Sequence, residues 1–211
     1  SGSGTPTDPY QVSNVEQLQC IQSQDLSANY ELTSDIDATG TPVWNSNSGF
    51  DPIGSNNAKF TGSFDGNGHT IRGLVIDRSF AVGLFGVSSG RVKNINITAI
   101  SLSANDNVGA VVGINDGGTV NDSSATGKIS LKESYDKRAG GLVGDNGGVI
   151  SYSDAAVDVS TGDSLGGLAG RNAGSISHSY ATGSVSGDEF IGGLVGYNTG
   201  SGGISLSYAS G

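Results

Sequence analysis

The chain has 211 residues, with 36 Gly, 4 Pro, a single Cys and no Met, and 10 Lys+Arg against 20 Asp+Glu. Its formal charge of -10 repels phosphate backbones, and no basic cluster marks a nucleic-acid footprint. Hydrophobic residues make up 35% and no G-X-Y period runs through the chain, so the glycine belongs to a folded chain and not to a disordered or collagen-like one.

Residues 1–9 open with Ser1-Gly2-Ser3-Gly4 and read as a linker before the fold. Neither a signal peptide nor an apolar run of membrane-spanning length is seen, so this segment is not expected to insert into a bilayer. The lack of any Met is what a piece of a longer polypeptide would show. Residues 10–81 read as an N-terminal cap followed by about two irregular coils. In this stretch Ser13-Asn14-Val15-Glu16 fits a capping box, and Val15, Leu18 and Ile21 predict a short helix with one apolar face. Cys20 is expected to be a small core residue. The segment from Tyr30 to Asp37 alternates as a half-buried strand does, and Phe60 to Phe64 and Thr70 to Ile76 bracket a turn-rich Asp65-Gly66-Asn67-Gly68-His69. His69 reads as a turn or stacking residue.

Residues 82–211 are organised by a repeat. A Gly-bracketed apolar run occurs five times: Val82-Gly83-Leu84-Phe85-Gly86, Gly109-Ala110-Val111-Val112-Gly113, Gly140-Gly141-Leu142-Val143-Gly144, Gly166-Gly167-Leu168-Ala169-Gly170 and Gly192-Gly193-Leu194-Val195-Gly196. The closing glycines stand 27, 31, 26 and 26 residues apart. After the last four runs Asn115, Asn146, Asn172 and Asn198 return at one offset; then come apolar Val120, Ile150, Ile176 and Ile204, then Ser123, Ser153, Ser179 and Ser207. The longer interval places its extra residues around Asp116 to Gly118 and Lys132 to Arg138, outside these ladders.

A unit of about 26 residues is too short for a propeller blade and too poor in helix formers for a helical repeat. It fits one coil of a parallel β-helix, with three short strands per coil stacked about 4.8 Å apart. Glycines would permit positive φ at corners or close backbone approach, and Asn amides would bond up and down the stack. No cap is visible at the C-terminal end, so end-to-end self-association is an open expectation.

The Gly-Leu-Val-Gly runs with trailing Asn-x-Gly resemble the GLUG motif of bacterial surface proteins, including adhesins and the non-catalytic regions of immunoglobulin A peptidases. The segment from Tyr30 through Ile71 is similar to what precedes such repeats. The resemblance implies an all-β, right-handed parallel β-helix in a secreted or surface-anchored bacterial protein. It supplies no functional residues to carry over.

Catalytic patterns are sparse. None of the five runs carries an acid, whereas a polysaccharide hydrolase needs two facing carboxylates, so a polysaccharide-active enzyme is an alternative and not the leading reading. His69 and His178 are the only histidines and no His-Glu-x-x-His occurs. Gly86-Val87-Ser88-Ser89-Gly90 matches the nucleophile elbow of hydrolases in form, yet the strand-to-helix context that motif needs is not predicted.

No cofactor is required by the pattern. Calcium is the one to weigh, with Asp35, Asp37, Asp65, Asp116 and Asp145 as oxygen donors in turns, although turns favour Asp for their own reasons. Tyr180 and Tyr208 fall at equivalent places in successive coils with Tyr152 close by, and Tyr135 sits within the charged insert. These four are candidate ligand contacts; a packed aromatic ladder and a solvated loop are the alternatives. The function expected is a segment of a secreted or cell-surface adhesin, presenting a surface to a host or neighbouring-cell glycan or protein. A structural spacer without ligand is the other reading.

Overall fold

The computed structural model describes residues 1–132 and 137–211. Its described strand pairs are all parallel and stack into a β-solenoid whose repeated part has five coils. The coils carry four strands and not three, the last of them broken into two short pieces, Tyr180–Ala181 and Val185–Ser186, in the fourth coil. In the second coil these are Asp106–Gly109, Val112–Asn115, Thr119–Asn121 and Ser124–Leu131. The additional strand arises because the Gly-bracketed run is not one strand. It bends in the middle, so that its first glycine ends one strand and the residue before its closing glycine begins the next.

Four sheets follow. The strands before the bend form a five-stranded sheet and those after it a second of five; the remaining two have eight and nine strands and reach back into the N-terminal part. Tyr10–Val12 pairs with Asn29–Leu32, which pairs with Ser63–Asp65, which pairs with Arg91–Lys93. The cap region and the repeats are thereby one continuous ladder.

Register is fixed by identity at equivalent positions. Val92, Val120, Ile150 and Ile176 lie over one another and are buried. So are Leu84, Val111, Leu142 and Leu168, at the bend of successive runs. The N-terminal half of the core is filled by larger rings: Phe60 and Phe64 pack on Phe85 with centroids 4.8 and 5.4 Å away. Burying such a side chain contributes about 1.5–3 kcal/mol, so the stacked ladders are the main source of cohesion.

The short helix Val15–Cys20 covers the first coil with Val15, Leu18 and, just past its end, Ile21. Its cap is displaced one residue from the predicted box. Asn14 is the N-cap, its side chain accepting from the Gln17 amide at 2.9 Å, and Gln17 reaches back to the Ser13 amide at 2.8 Å. Cys20 is exposed and not core, because the buried stripe runs through 15, 18 and 21 and leaves position 20 on the outer face. Residues 1–9 are more than a linker: the Gly4 carbonyl accepts from the Asn29 backbone amide at 2.8 Å and its side chain at 3.0 Å.

Two polar ladders run inside the stack. Asn115 donates to Asn146 at 2.7 Å, Asn146 to Asn172 at 2.8 Å and Asn172 to Asn198 at 2.8 Å, as the sequence predicts. Ser123, Ser153 and Ser179 form the second. The amide of each donates to the hydroxyl of the serine one coil on, at 3.1–3.2 Å, and each hydroxyl donates to a carbonyl two residues back. Ser123, Ser153, Ser179 and Ser207 each follow a corner residue with positive φ, at Asp122, Tyr152, His178 and Leu206; in the first coil the same corner is Asn94, followed by Ile95. The left-handed corner turns the next amide out of the ladder, and the hydroxyl replaces the missing acceptor.

Candidate functional site

The glycines of the repeat set the shape of the outer surface. None of those in the five runs has positive φ; close approach alone requires them. A Cβ built on Gly140 would fall 2.5 Å from Ala169 Cα, and one on Gly170 would fall 2.8 Å from Ala139 N. The same reciprocal contact joins Gly109 to Val143 and Gly144 to Asn107, at 2.5 and 2.7 Å. The strand before the bend thus lies backbone to backbone against the strand after the bend of the next coil. No side chain fits between them.

The flanking residues then meet side by side. Arg138, Ser164 and Phe190 stack in register on the sheet before the bend; Asp145, Arg171 and Tyr197 stack on the sheet after it. Asp145 is bracketed by Arg171 at 3.0 Å and Arg138 at 3.4 Å, and one coil beyond Arg171 the Phe190 and Tyr197 rings lie 5.3 Å apart with a tilt of 55°. Arg138, Ser164, Arg171, Phe190 and Tyr197 line a cleft of about 270 Å³.

The predicted tyrosines do not form one array. Tyr180 and Tyr208 stack at 5.3 Å and 8°, and Tyr208 is 59% exposed. Tyr152 belongs to a different ladder. It occupies the left-handed corner and stacks on His178 at 4.7 Å, while Asp154 takes the place equivalent to Tyr180. Each of the near-parallel Tyr180 and Tyr208 rings covers one face of the other. Burial pushes the Asp154 carboxyl above its ordinary value, with the Tyr180 hydroxyl acting in the opposite sense, and the Asp154 charge raises the Tyr180 phenol. Tyr135 lies outside the described residues.

The five aspartates considered for calcium are spread over separate corners. Asp35 accepts from the Thr70 amide at 2.9 Å and lies 3.3 Å from the His69 ring, contacts that hold it below the usual carboxylate range. The Thr39 hydroxyl and amide do the same for Asp37. Burial raises Asp65, but Lys93, Asn67 and Asn94 outweigh it and leave a net lowering. Asp116 pairs with Lys59, and Asp145 with the two arginines. Among the described residues no three metal-binding side chains come together.

Ser88, the serine of the elbow-like run, is buried and stands in the ladder position of the asparagines. The bend cleft was missed by sequence reasoning. Its only signal was position: two residues before the first glycine of a run, or one after the last, where residue type changes from coil to coil.

A parallel β-solenoid of four-strand coils, bent at Gly-Leu-Val-Gly and pinned by asparagine, is the class defined by this geometry. The family profile of the GLUG motif matches residues 104–130 and 161–186, each one full coil, and the chain therefore carries GLUG motifs. It is 39% identical over 173 residues to Halomucin of Haloquadratum walsbyi, a match covering 76% of this chain and 2% of that protein. Over 130 residues it is 37% identical to a protein of Evansella cellulosilytica provisionally designated a Gly-rich membrane protein, covering 55% of this chain and 14% of the relative. The chain thus spans a small part of either relative's length. A solved structure from Bacteroides ovatus, provisionally designated an immunoglobulin A1 protease, superposes with a TM-score of 0.78 at 26% identity, over 99% of this chain and 68% of the other.

Proposed function

We propose that the chain is a segment of a secreted or cell-surface adhesin, a rigid solenoid that presents a binding surface to a glycan or protein of a host or neighbouring cell. The observation that carries this reading is the division of each coil into constant and variable positions. Gly, Asn, Ser and the apolar ladder recur from coil to coil and are consumed by the scaffold, while outward positions beside the bend change: Arg138, Ser164 and Phe190 on one side, and Asp145, Arg171 and Tyr197 on the other. A scaffold that fixes its interior and varies one face is suited to display. The names of the relatives, a halomucin and a membrane protein, support a surface location, and no described helix is long and apolar enough to cross a membrane.

The segment acts by binding and spacing and not by catalysis, and needs no metal. The test is binding of the labelled chain to a broad array of glycans and extracellular-matrix proteins, with calcium and with chelator. Saturable binding that is indifferent to chelator supports the reading. Silence under both conditions leaves a spacer, and turnover of an arrayed glycan would restore the enzyme alternative.

A further inference from the structure

The capping helix does more than close the first coil; it also builds a cleft. Gln19 accepts from the Asp51 amide at 2.8 Å and donates to the Asp51 carbonyl at 3.0 Å, and Gln22, in the turn just past the helix, accepts from the Gly54 amide at 2.7 Å. Residues 51–54 are thereby tied to the cap. Arg78, just before the strand Phe80–Val82, donates from Nε to the Phe50 carbonyl at 3.2 Å, and its Nη1 stands 3.4 Å from the Asp51 carboxylate. Gln22, Asp51, Arg78 and Phe80 line one cleft of about 260 Å³, together with the turn at 54–57. Ile53 and Val82, next to the lining residues in sequence, are fully buried, so the 46% exposure of Phe80 is not that of an uncovered coil.

We propose that this cleft binds one neutral sugar ring of a glycan. Its polar groups are held in place before any ligand arrives, and they are of both kinds: the Arg78 guanidinium donates, the Asp51 carboxylate accepts, and Gln22, its oxygen fixed on Gly54, offers Nε2. The side chains of Asn56 and Asn57 stand exposed at the tip of a turn closed by Ser55 and Ala58, and like Gln22 Nε2 they have no hydrogen-bond partner among the described residues. A sugar hydroxyl both donates and accepts, so neighbouring hydroxyls of one ring match the Arg78 and Asp51 pair, and the amides take others. The exposed part of the Phe80 side chain gives the C–H groups of the ring an apolar contact. The charges of Arg78 and Asp51 offset one another, and an acidic sugar would meet the Asp51 carboxylate on a chain already at -10. The volume is below the roughly 300–1,000 Å³ of sites for drug-sized ligands and suits a single ring. A peptide strand fits less well: Phe80–Val82 is the edge of its sheet, but the positive φ of Ala81, 51°, interrupts the regular ladder that strand addition needs. The inference rests on the reading of the segment as a display scaffold and names its ligand class and contact surface.

The test uses the whole chain on an array of neutral glycans, uronate- and sialate-bearing glycans, and matrix proteins. It is repeated with Phe80→Ala, Asp51→Asn and, outside the cleft, Tyr180→Ser, with thermal unfolding of each variant followed by circular dichroism. Saturable binding is expected on neutral glycans, weakened roughly tenfold or more by Phe80→Ala and by Asp51→Asn and unchanged by Tyr180→Ser, as loss of an anchoring contact gives. If Asp51→Asn fails to fold, the exposed Phe80 carries the test alone. Binding confined to acidic glycans or to proteins overturns the inference and leaves the display reading standing, as does neutral-glycan binding indifferent to the cleft variants. No binding anywhere overturns both.

Discussion

At the scale of the residue, the glycines and the corner residues exchange the roles that composition suggests. Glycine in a turn-rich chain points to positive φ, yet the glycines of the five runs adopt ordinary φ and are required because other atoms, mostly backbone, occupy the place of a Cβ. At the corner before the serine ladder positive φ falls instead on Asn94, Asp122, Tyr152, His178 and Leu206, none of them β-branched. Gly170→Ala should therefore destabilise by about 1–3 kcal/mol, the usual cost of overpacking, whereas Gly200→Ala, with open space at the Cβ, should not. Equal urea midpoints for the two variants would contradict the close approach. Asp154 gives a residue-scale prediction in pH. Its carboxyl is raised above 3.8 in the folded chain, chiefly by burial, so the folded form binds more protons than the unfolded across the window from 3.8 to the raised value. Stability contributed by this group falls as pH rises through that window and is level above it. Asp154→Asn should gain thermal stability relative to the native chain over the same window; a difference independent of pH would count against the assignment.

At the scale of the element, each ladder has a job that single residues do not reveal. The asparagine ladder is a chain of buried amides in which each interior member both donates and accepts. Asn146→Ala breaks two links, leaving the Asn115 amide only its 3.3 Å bond to the Gly118 carbonyl and stranding the Asn172 oxygen, so a loss of about 1–3 kcal/mol is expected by chemical unfolding. Ile176→Asp places a charge in the apolar ladder and should cost several kcal/mol, enough to lower the unfolding midpoint sharply. These two ladders were legible in the sequence because identical residues must recur at one offset when coils stack in register. The bend was not legible, since a run such as Gly140 to Gly144 has the composition of one buried strand and nothing local marks a reversal between Gly140 and Val143. The corner was not legible either, because five unlike side chains share one backbone conformation. The tyrosines illustrate the limit for the site: Tyr152 and Tyr180 are close in coil position, but a single left-handed residue assigns them to different ladders.

For the whole molecule, the architecture separates what holds the coils together from what they show to the outside. Backbone contact at the glycines, the asparagine and serine ladders and the apolar stack are the scaffold; the positions flanking the bend change from coil to coil and, in the reading proposed above, are the display. The most direct measurement of this division is thermal unfolding of a paired set: Gly170→Ala and Asn146→Ala from the scaffold, Ser164→Ala and Tyr197→Ser from the display. The first pair should unfold at clearly lower temperature, and the second should remain within about 0.5 kcal/mol of the native chain, as surface substitutions do. Comparable losses in both pairs would contradict a constant scaffold carrying a free face.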